Sequence, residues 1–502
     1  MNDRAKYRLL EMIPGLLVWG TLILAVLLSF LKPLWAIYFI VAFDLYWLLR
    51  IIYMLIYMLT SWRRYRRNIK IGWYEKLQTD FFGRWENIYH LVFLPTYKEP
   101  YEIVKLPFES IINSSYPNEK FIVVLAGEER DEAHFLEVAE KLKREYGDKF
   151  FRMIINIHPK DLEGELPGKG SNIHHAGWQA KKLIDELQIP YENIIVSSFD
   201  IDTCVHEQYF ACLTHHYLKN PNPTRASYQP LAIYNNNIWE SNPVVRVVAS
   251  STTFWLLTDL SRAERLFTFS SHSMSFKALV EVGFWDKTIV TEDSRIFLQC
   301  FVKYDGDYKV TPLYMPVYMS TVEIGKFSKS LANQYKQMRR WAWGVEHFPW
   351  MVWHFWGKYG NNKIRLTKKF RYIWNQTEGV YSWATAPLLI LLVGYLPLWL
   401  ASEQERQTAI FQNAPEALAI LMRLAMIGLI VAAALYGIML PPKPKEFHWY
   451  NYLIMALQWL MVPATLIIFG SLPATDAQTR LMLGGKYRLG FWVTEKTLKH
   501  PA

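Results

Sequence analysis

The 502-residue chain is 51% hydrophobic and 16% aromatic but only 20% charged, so its apolar excess must be gathered in particular segments. Its three cysteines fit neither a disulfide framework nor a metal spacing, and 21 Trp, 30 Tyr and 28 Phe exclude a disordered chain. A formal charge of +10 suggests an anionic partner: nucleic acid, a lipid surface or a phosphate-bearing substrate.

Residues 14–31 carry no charge, and 34–49 follow with Asp44 as their only acid; the run resumes after Arg50 and reaches residue 59. A helix crossing hydrocarbon needs about 20 apolar residues. Two spanning helices are therefore predicted within 1–62, joined at Lys32 and Pro33. No small-residue cleavage site separates the runs, which argues against a signal peptide. Arg63, Arg64, Arg66, Arg67 and Lys70 place the following flank, and with it the N-terminus, on the cytoplasmic side. Residues 63–330 then read as a soluble domain. Apolar runs return at 380–400 and 417–440, predicting two more spanning helices within 379–440, with the acidic loop 401–416 outside. The run 452–472 is ambiguous. If it spanned, Arg480, Lys486, Arg488, Lys496 and Lys499 would face outward, and Pro463 interrupts it. Residues 450–472 are accordingly expected to be interfacial or re-entrant, with 473–502 a cytoplasmic tail. The basic charge clusters beside membrane segments, so no nucleic acid is needed to explain it.

Within the soluble part, compact apolar runs at 89–94, 121–126, 150–155 and 193–199 alternate with helical stretches such as 129–146 and 171–187. This pattern predicts βαβ units and a parallel sheet in an α/β domain. Ligands bind beyond the carboxyl ends of such strands, which directs attention to the residues just after each run. The first is followed by Thr96, Tyr97 and Glu99, the second by Gly127 and Glu128, and the fourth by Asp200 and Asp202. Two carboxylates at i and i+2 of an extended segment share one side and make a hard-oxygen site for Mg²⁺ or Mn²⁺ holding a diphosphate. Taken alone, the pair reads equally as an acidic loop. Lys169, beside Gly168 and before a helix, would meet phosphate, or else the segment is an ordinary turn with Ser171 as a cap. Thr291, Glu292 and Asp293 open a helical stretch, where acids are also favoured by the helix dipole. Gln337, Arg340 and Trp341 fall in a Trp-rich amphipathic segment, 331–372, whose Trp343, Trp350, Trp353 and Trp356 read as interfacial anchors. His174, His175, His272 and the cysteines read as ordinary fold residues.

In this order the motifs resemble those of the processive membrane-bound glycosyltransferases of family 2, the cellulose and hyaluronan synthases. The D-x-D is Asp200 and Asp202, the T-E-D is Thr291, Glu292 and Asp293, and the Q-x-x-R-W is Gln337, Arg340 and Trp341. Phe491, Val493, Thr494 and Lys496 resemble the F-x-V-T-x-K gating loop of cellulose synthases. The similarity spans about residues 35–496. It implies a GT-A-type (Rossmann-like) cytoplasmic domain inserted between four transmembrane helices of a multi-pass inner-membrane protein. Because a gating loop must reach a cytoplasmic site, 452–472 should not cross. The implied reaction is inverting, metal-dependent transfer from a UDP-sugar to a β-linked glycan. Asp202, assisted by Asp200, would hold Mg²⁺ or Mn²⁺ and the diphosphate, with Thr96, Tyr97, Glu99, Lys169 and the gating-loop residues around the nucleotide. Asp293 would be the general base, while Gln337, Arg340 and Trp341 would position acceptor and pyrophosphate. Two departures stand out. Glu128 occupies the place where an Asp usually meets the nucleobase, and the sequence ends six residues after Lys496 without the further helices of cellulose synthases. The latter implies a short or lipid-linked product, or assembly with copies or an export partner. The alternatives are a single transfer to a lipid-phosphate carrier and, from another class, an inert membrane scaffold or transporter. Four helices lacking charged pore pairs, with Asp44 paired to a neighbouring helix, argue against transport.

Overall fold

The computed structural model describes residues 2–490. An eight-stranded mixed sheet forms its centre, in the order β3-β2-β1-β4-β7-β6-β8-β5. The strands are β1 (Tyr89–Pro95), β2 (Phe121–Glu128), β3 (Arg152–His158), β4 (Ile194–Ser198), β5 (Cys204–Val205), β6 (Ala226–Tyr234), β7 (Ser273–Ser275) and β8 (Lys309–Met319). β3, β2, β1 and β4 are parallel neighbours, so their carboxyl ends open on one edge. These are the four apolar runs of the sequence. Every residue of β2 is buried, the mark of a strand covered on both faces. The third strand starts at Arg152, because Phe150 is drawn into the helix-facing core against Phe108.

The other half of the sheet was not predicted. β7 lies antiparallel to β4 and β6, β8 runs parallel to β6, and β5 closes the edge antiparallel to β8. β8 contains Pro312 and Pro316, which a ladder ordinarily excludes. They are accommodated where the register against β6 shifts between Gln229 and Leu231. The α/β class stands.

Among the described residues four helices are long and apolar enough to cross a membrane: Asp3–Leu31, Pro33–Asn68, Ala409–Met439 and the helical run Tyr450–Leu483. The run at 380–400 is broken into Leu366–Leu391 and Val393–Leu400, bent by 44°. The helix expected from 417 begins at Ala409. The run Tyr450–Leu483 leans on the sheet-containing part of the molecule along its length. Tyr452 meets Trp239 edge-on at 5.4 Å, Trp459 stacks on Phe254 at 6.0 Å, and Phe469 clusters with Val248 and Met338. Near its end Asp476 pairs with Arg339 at 2.8 Å, and Thr479 accepts from Trp19 of the first helix at 2.8 Å.

Two further expectations need correction. Asp44 is buried, but its Oδ1 has no hydrogen-bond partner; an ion pair between the long apolar helices is formed instead by Arg50 with Glu378. Trp343 is no interfacial anchor: it is 2% exposed and its indole donates to Glu346 at 3.0 Å. Trp350 carries the Arg295 guanidinium over its ring at 4.8 Å, a contact within the protein.

Candidate active site

Lys169 opens the helix Lys169–Glu186, which follows β3 and delivers its ammonium beneath the carboxyl end of β4. The Nζ lies 2.7 Å from Asp200 Oδ1, 2.9 and 3.1 Å from the two Asp293 oxygens, and 3.8 Å from Glu292. One cation therefore gathers the D-x-D and T-E-D motifs, which lie far apart in sequence. Burial works against this ammonium, but the Asp200, Asp293 and Glu292 carboxylates outweigh it and hold its pKa above the ordinary value. The sequence reading aimed Lys169 at phosphate or at a capped turn. In the structure its first partners are carboxylates, and Ser171 caps nothing: it donates back to the Leu166 and Gly168 carbonyls. Gly170 suits the close packing here, since a Cβ would stand 3.0 Å from the Asp286 carbonyl oxygen and 3.2 Å from Glu292 Cβ, and both would have to shift by a few tenths of an ångström.

Asp200 and Asp202 do not share one side of an extended segment. The chain turns at once after β4, with the Thr203 N–H donating to the Asp200 carbonyl at 2.9 Å, because it must reverse into β5. The two carboxylates consequently take different partners. Asp200 Oδ2 accepts from Ser270 at 2.7 Å, while Asp202 is buried and its Oδ2 accepts from the Ser320 N–H at 2.8 Å, just past β8.

The T-E-D opens the helix Glu292–Lys303. Thr291 does not cap it; its hydroxyl donates to Glu346 at 2.7 Å. The Asp293 carbonyl accepts from Thr268 at 2.5 Å, which fixes the backbone behind the carboxylate. Glu292 is buried beside Asp293, and burial first, then that neighbour, raise its pKa. His272, given no role in the sequence reading, lies with Nδ1 3.7 Å from Asp293 Oδ1. Burial pushes its pKa down to about 4, so it stays neutral and adds no second cation.

From the Q-x-x-R-W helix, Phe327–Ala342, Trp341 reaches the site. Its ring centre lies 6.0 Å from that of Tyr234, at the end of β6, and 5.9 Å from that of Phe269, the residue before Ser270. Arg340 acts electrostatically on Glu292 and Tyr234. Gln337 is buried with its Oε1 accepting from Gln334 at 3.3 Å. The remaining predicted residues form a second group at the ends of β1 and β2. Thr96 Oγ1 and the Tyr97 N–H both donate to Glu99, at 2.8 and 2.6 Å. Arg130 lies over the Tyr97 ring at 4.8 Å and donates to buried Glu128 at 2.9 Å. Phe491, Val493 and Thr494 lie outside the described residues.

The structure adds Tyr234, Phe269, Ser270, Ser320 and Glu346, none of which the sequence singled out. Only Glu346, an acid in an otherwise aromatic stretch, carried a signal. Burial pushes its pKa up to about 7. Among the described residues no three His, Cys, Asp or Glu side chains converge as a complete metal cage. Two aspartates at a turn fit the habit of Mg²⁺-type ions, which take one or two carboxylates and complete their shell with substrate phosphates and water.

An α/β sheet with acidic residues and a lysine at its carboxyl edge is the setting of a nucleotide-sugar transferase. The family model for glycosyl transferase family group 2 matches residues 195–472, more than half of the chain, and the chain belongs to that family. It is a glycosyltransferase of GT-A-like fold that transfers a sugar from a nucleotide sugar. Among solved structures it is similar to a mannosyltransferase from Pyrobaculum calidifontis in complex with GDP-Man and Mn²⁺: 14% identity, TM-score 0.38, covering 83% of this chain and 97% of that one. It is also similar to S. aureus TarS, residues 1–349, in complex with UDP-GlcNAc: 14% identity, TM-score 0.31, covering 71% and 93%. No curated protein sequence matches it.

Proposed function

We propose that this chain is a membrane-embedded, inverting glycosyltransferase of the cellulose and hyaluronan synthase type, extending a β-linked glycan from a UDP-sugar. The observation that carries the reading is the single Lys169 ammonium bonded to both Asp200 and Asp293. It puts the carboxylate suited to a proton next to the group suited to a leaving diphosphate. A sugar hydroxyl is a weak nucleophile. As its oxygen attacks the anomeric carbon, the Asp293 carboxylate accepts its proton and the bond to the diphosphate breaks from the opposite face. The electrons leave with the diphosphate, whose charge Lys169 and Arg340 offset. Asp202 and Asp200 would hold Mg²⁺ or Mn²⁺, which supplies further charge neutralisation when bound. Thr96, Tyr97, Glu99 and Glu128 would face the nucleobase, and Trp341 would offer a flat apolar face to the acceptor.

The same reading keeps 450–472 on the cytoplasmic face, beside the catalytic domain, with spans at Asp3–Leu31, Pro33–Asn68, Ala409–Met439 and the bent pair Leu366–Leu391 with Val393–Leu400. The contacts of Tyr452, Trp459 and Phe469 with the domain support it. The domain boundaries then fall at about 63–330 for the catalytic part and 331–372 for the interface segment.

The test is a screen of nucleotide sugars with purified protein in lipid nanodiscs and Mg²⁺ or Mn²⁺, reading nucleotide release and product size. Asp293→Asn should bind UDP as the wild type does and lose turnover by about 10²- to 10⁴-fold. Asp202→Asn or chelation should remove UDP binding. Full turnover by Asp293→Asn would refute the base assignment, and a product of one sugar on a lipid would refute the polymer.

A further inference from the structure

Tyr234 ends β6 with its side chain 7% exposed, and its phenolic oxygen has no hydrogen-bond partner. A buried hydroxyl without a partner is uncommon in a folded protein and needs a reason. Its surroundings supply one. In the sheet Tyr234 stands opposite Met319, and the next residue, Ser320, holds Asp202 through its N–H. Two residues on from Tyr234, the Asn236 amide donates to the Asp202 carbonyl at 3.0 Å. On the other side the Tyr234 ring lies 6.0 Å from Trp341, at 50°, and Trp341 meets Phe269 edge-on. Ser270, adjoining Phe269, donates to Asp200. The phenol thus lies in the field of Asp200, Asp202, Arg340 and Asp293, while its ring packs against Trp341.

A phenol is protonated at neutral pH, and burial reinforces this, so the hydroxyl has a hydrogen to donate. Trp341 and Phe269, which pack with Tyr234 in one aromatic cluster, remain partly exposed and offer apolar surface of the kind that meets the C–H face of a pyranose. A sugar hydroxyl can accept from a phenol and at the same time donate to a neighbouring carboxylate; a diphosphate oxygen can only accept. We propose that the Tyr234 hydroxyl binds the terminal sugar of the acceptor, donating to one of its hydroxyls and setting the angle at which the neighbouring hydroxyl approaches Asp293. The inference rests on the reading of Trp341 as the acceptor platform, and it adds a specificity-determining residue that none of the sequence motifs contains.

Tyr234→Phe tests it, because the ring and its packing on Trp341 remain. Full-length protein in nanodiscs would be assayed with the donor found active in the screen, using cellotetraose and chitotetraose as added acceptors. Three quantities are read: kcat/KM for acceptor, donor hydrolysis to water without acceptor, and UDP affinity with Mn²⁺. Loss of one buried hydrogen bond to a neutral hydroxyl should lower kcat/KM for acceptor by about 10-fold. UDP affinity and hydrolysis should stay within about twofold, since neither involves the acceptor. An unchanged kcat/KM for acceptor would overturn the proposal, and so would an equal fall in UDP affinity, which would assign the hydroxyl to the diphosphate. Quenching of tryptophan fluorescence by each tetrasaccharide decides the matter independently of turnover. Weaker quenching in Tyr234→Phe supports the contact and equal quenching overturns it. A wild type that transfers nothing from any donor counts against the proposed function, while the fluorescence titration still decides on Tyr234.

Discussion

Replacing Lys169 by Met tests the centre of the site. The ammonium is 13% exposed and makes contacts of 2.7 Å to Asp200 and 2.9 Å to Asp293. At an effective dielectric near 20, each such contact amounts to about 6 kcal/mol before desolvation is counted. Desolvation cancels most of that, but removing only the cation strands its partners, and breaking a buried pair in this way costs about 3–5 kcal/mol. The loss should depend on pH. Glu292, whose pKa burial and Asp293 already raise, also loses its nearest cation. A carboxyl whose folded pKa lies above its unfolded value binds more protons when folded, so stability falls as pH rises between the two. The deficit of Lys169→Met relative to wild type should therefore be larger at pH 9 than at pH 5, as read by thermal unfolding in detergent. Adding Asp293→Asn removes one stranded charge and should recover part of the loss, a coupling measurable as a double-mutant cycle. Turnover should fall about 10²- to 10³-fold, the usual cost of removing one group that stabilises developing charge. A variant as stable as wild type at pH 9, or a deficit equal at both pH values, would refute the reasoning.

Glu346 gives a separate pH signal. Its pKa of about 7 means that the wild type loses stability as pH rises from about 4.5 to 7, by about 3 kcal/mol. Glu346→Gln should flatten that part of the unfolding profile, and a profile unchanged in shape would show that Glu346 is not the titrating group. Asp476→Asn removes the bonds to Arg339 and Arg480. The side chains of Arg339, Asp476 and Arg480 are 22%, 26% and 35% exposed, so the cost should stay near or below about 1 kcal/mol. Because Arg339 lies on the Q-x-x-R-W helix, acceptor KM should move more than UDP affinity; the reverse would mean that this contact does not position Trp341.

The parallel half of the sheet was legible because β1, β2 and β4 are buried along almost their whole length and so are mainly apolar. β6 to β8 were not. Ser273 and Ser275 satisfy their hydroxyls inside the sheet, Ser273 against Ser197 at 2.7 Å, and β8 carries two prolines at a register shift. Polar pairing and bulges depend on the neighbouring strand, which a local pattern does not contain.

By itself the sequence determined an α/β enzyme domain flanked by helices long and apolar enough to cross a membrane, with acidic motifs at strand and helix ends, because apolar runs and motif residues are local properties of the chain. The tertiary structure decided how those residues work together. Only folding sets Lys169 among Asp200, Glu292 and Asp293, turns Asp202 away from Asp200 toward Ser320, and leaves the Tyr234 hydroxyl buried without a partner. Distances between residues far apart in sequence, and the protons and charges that depend on them, arise only when the strands are laid side by side.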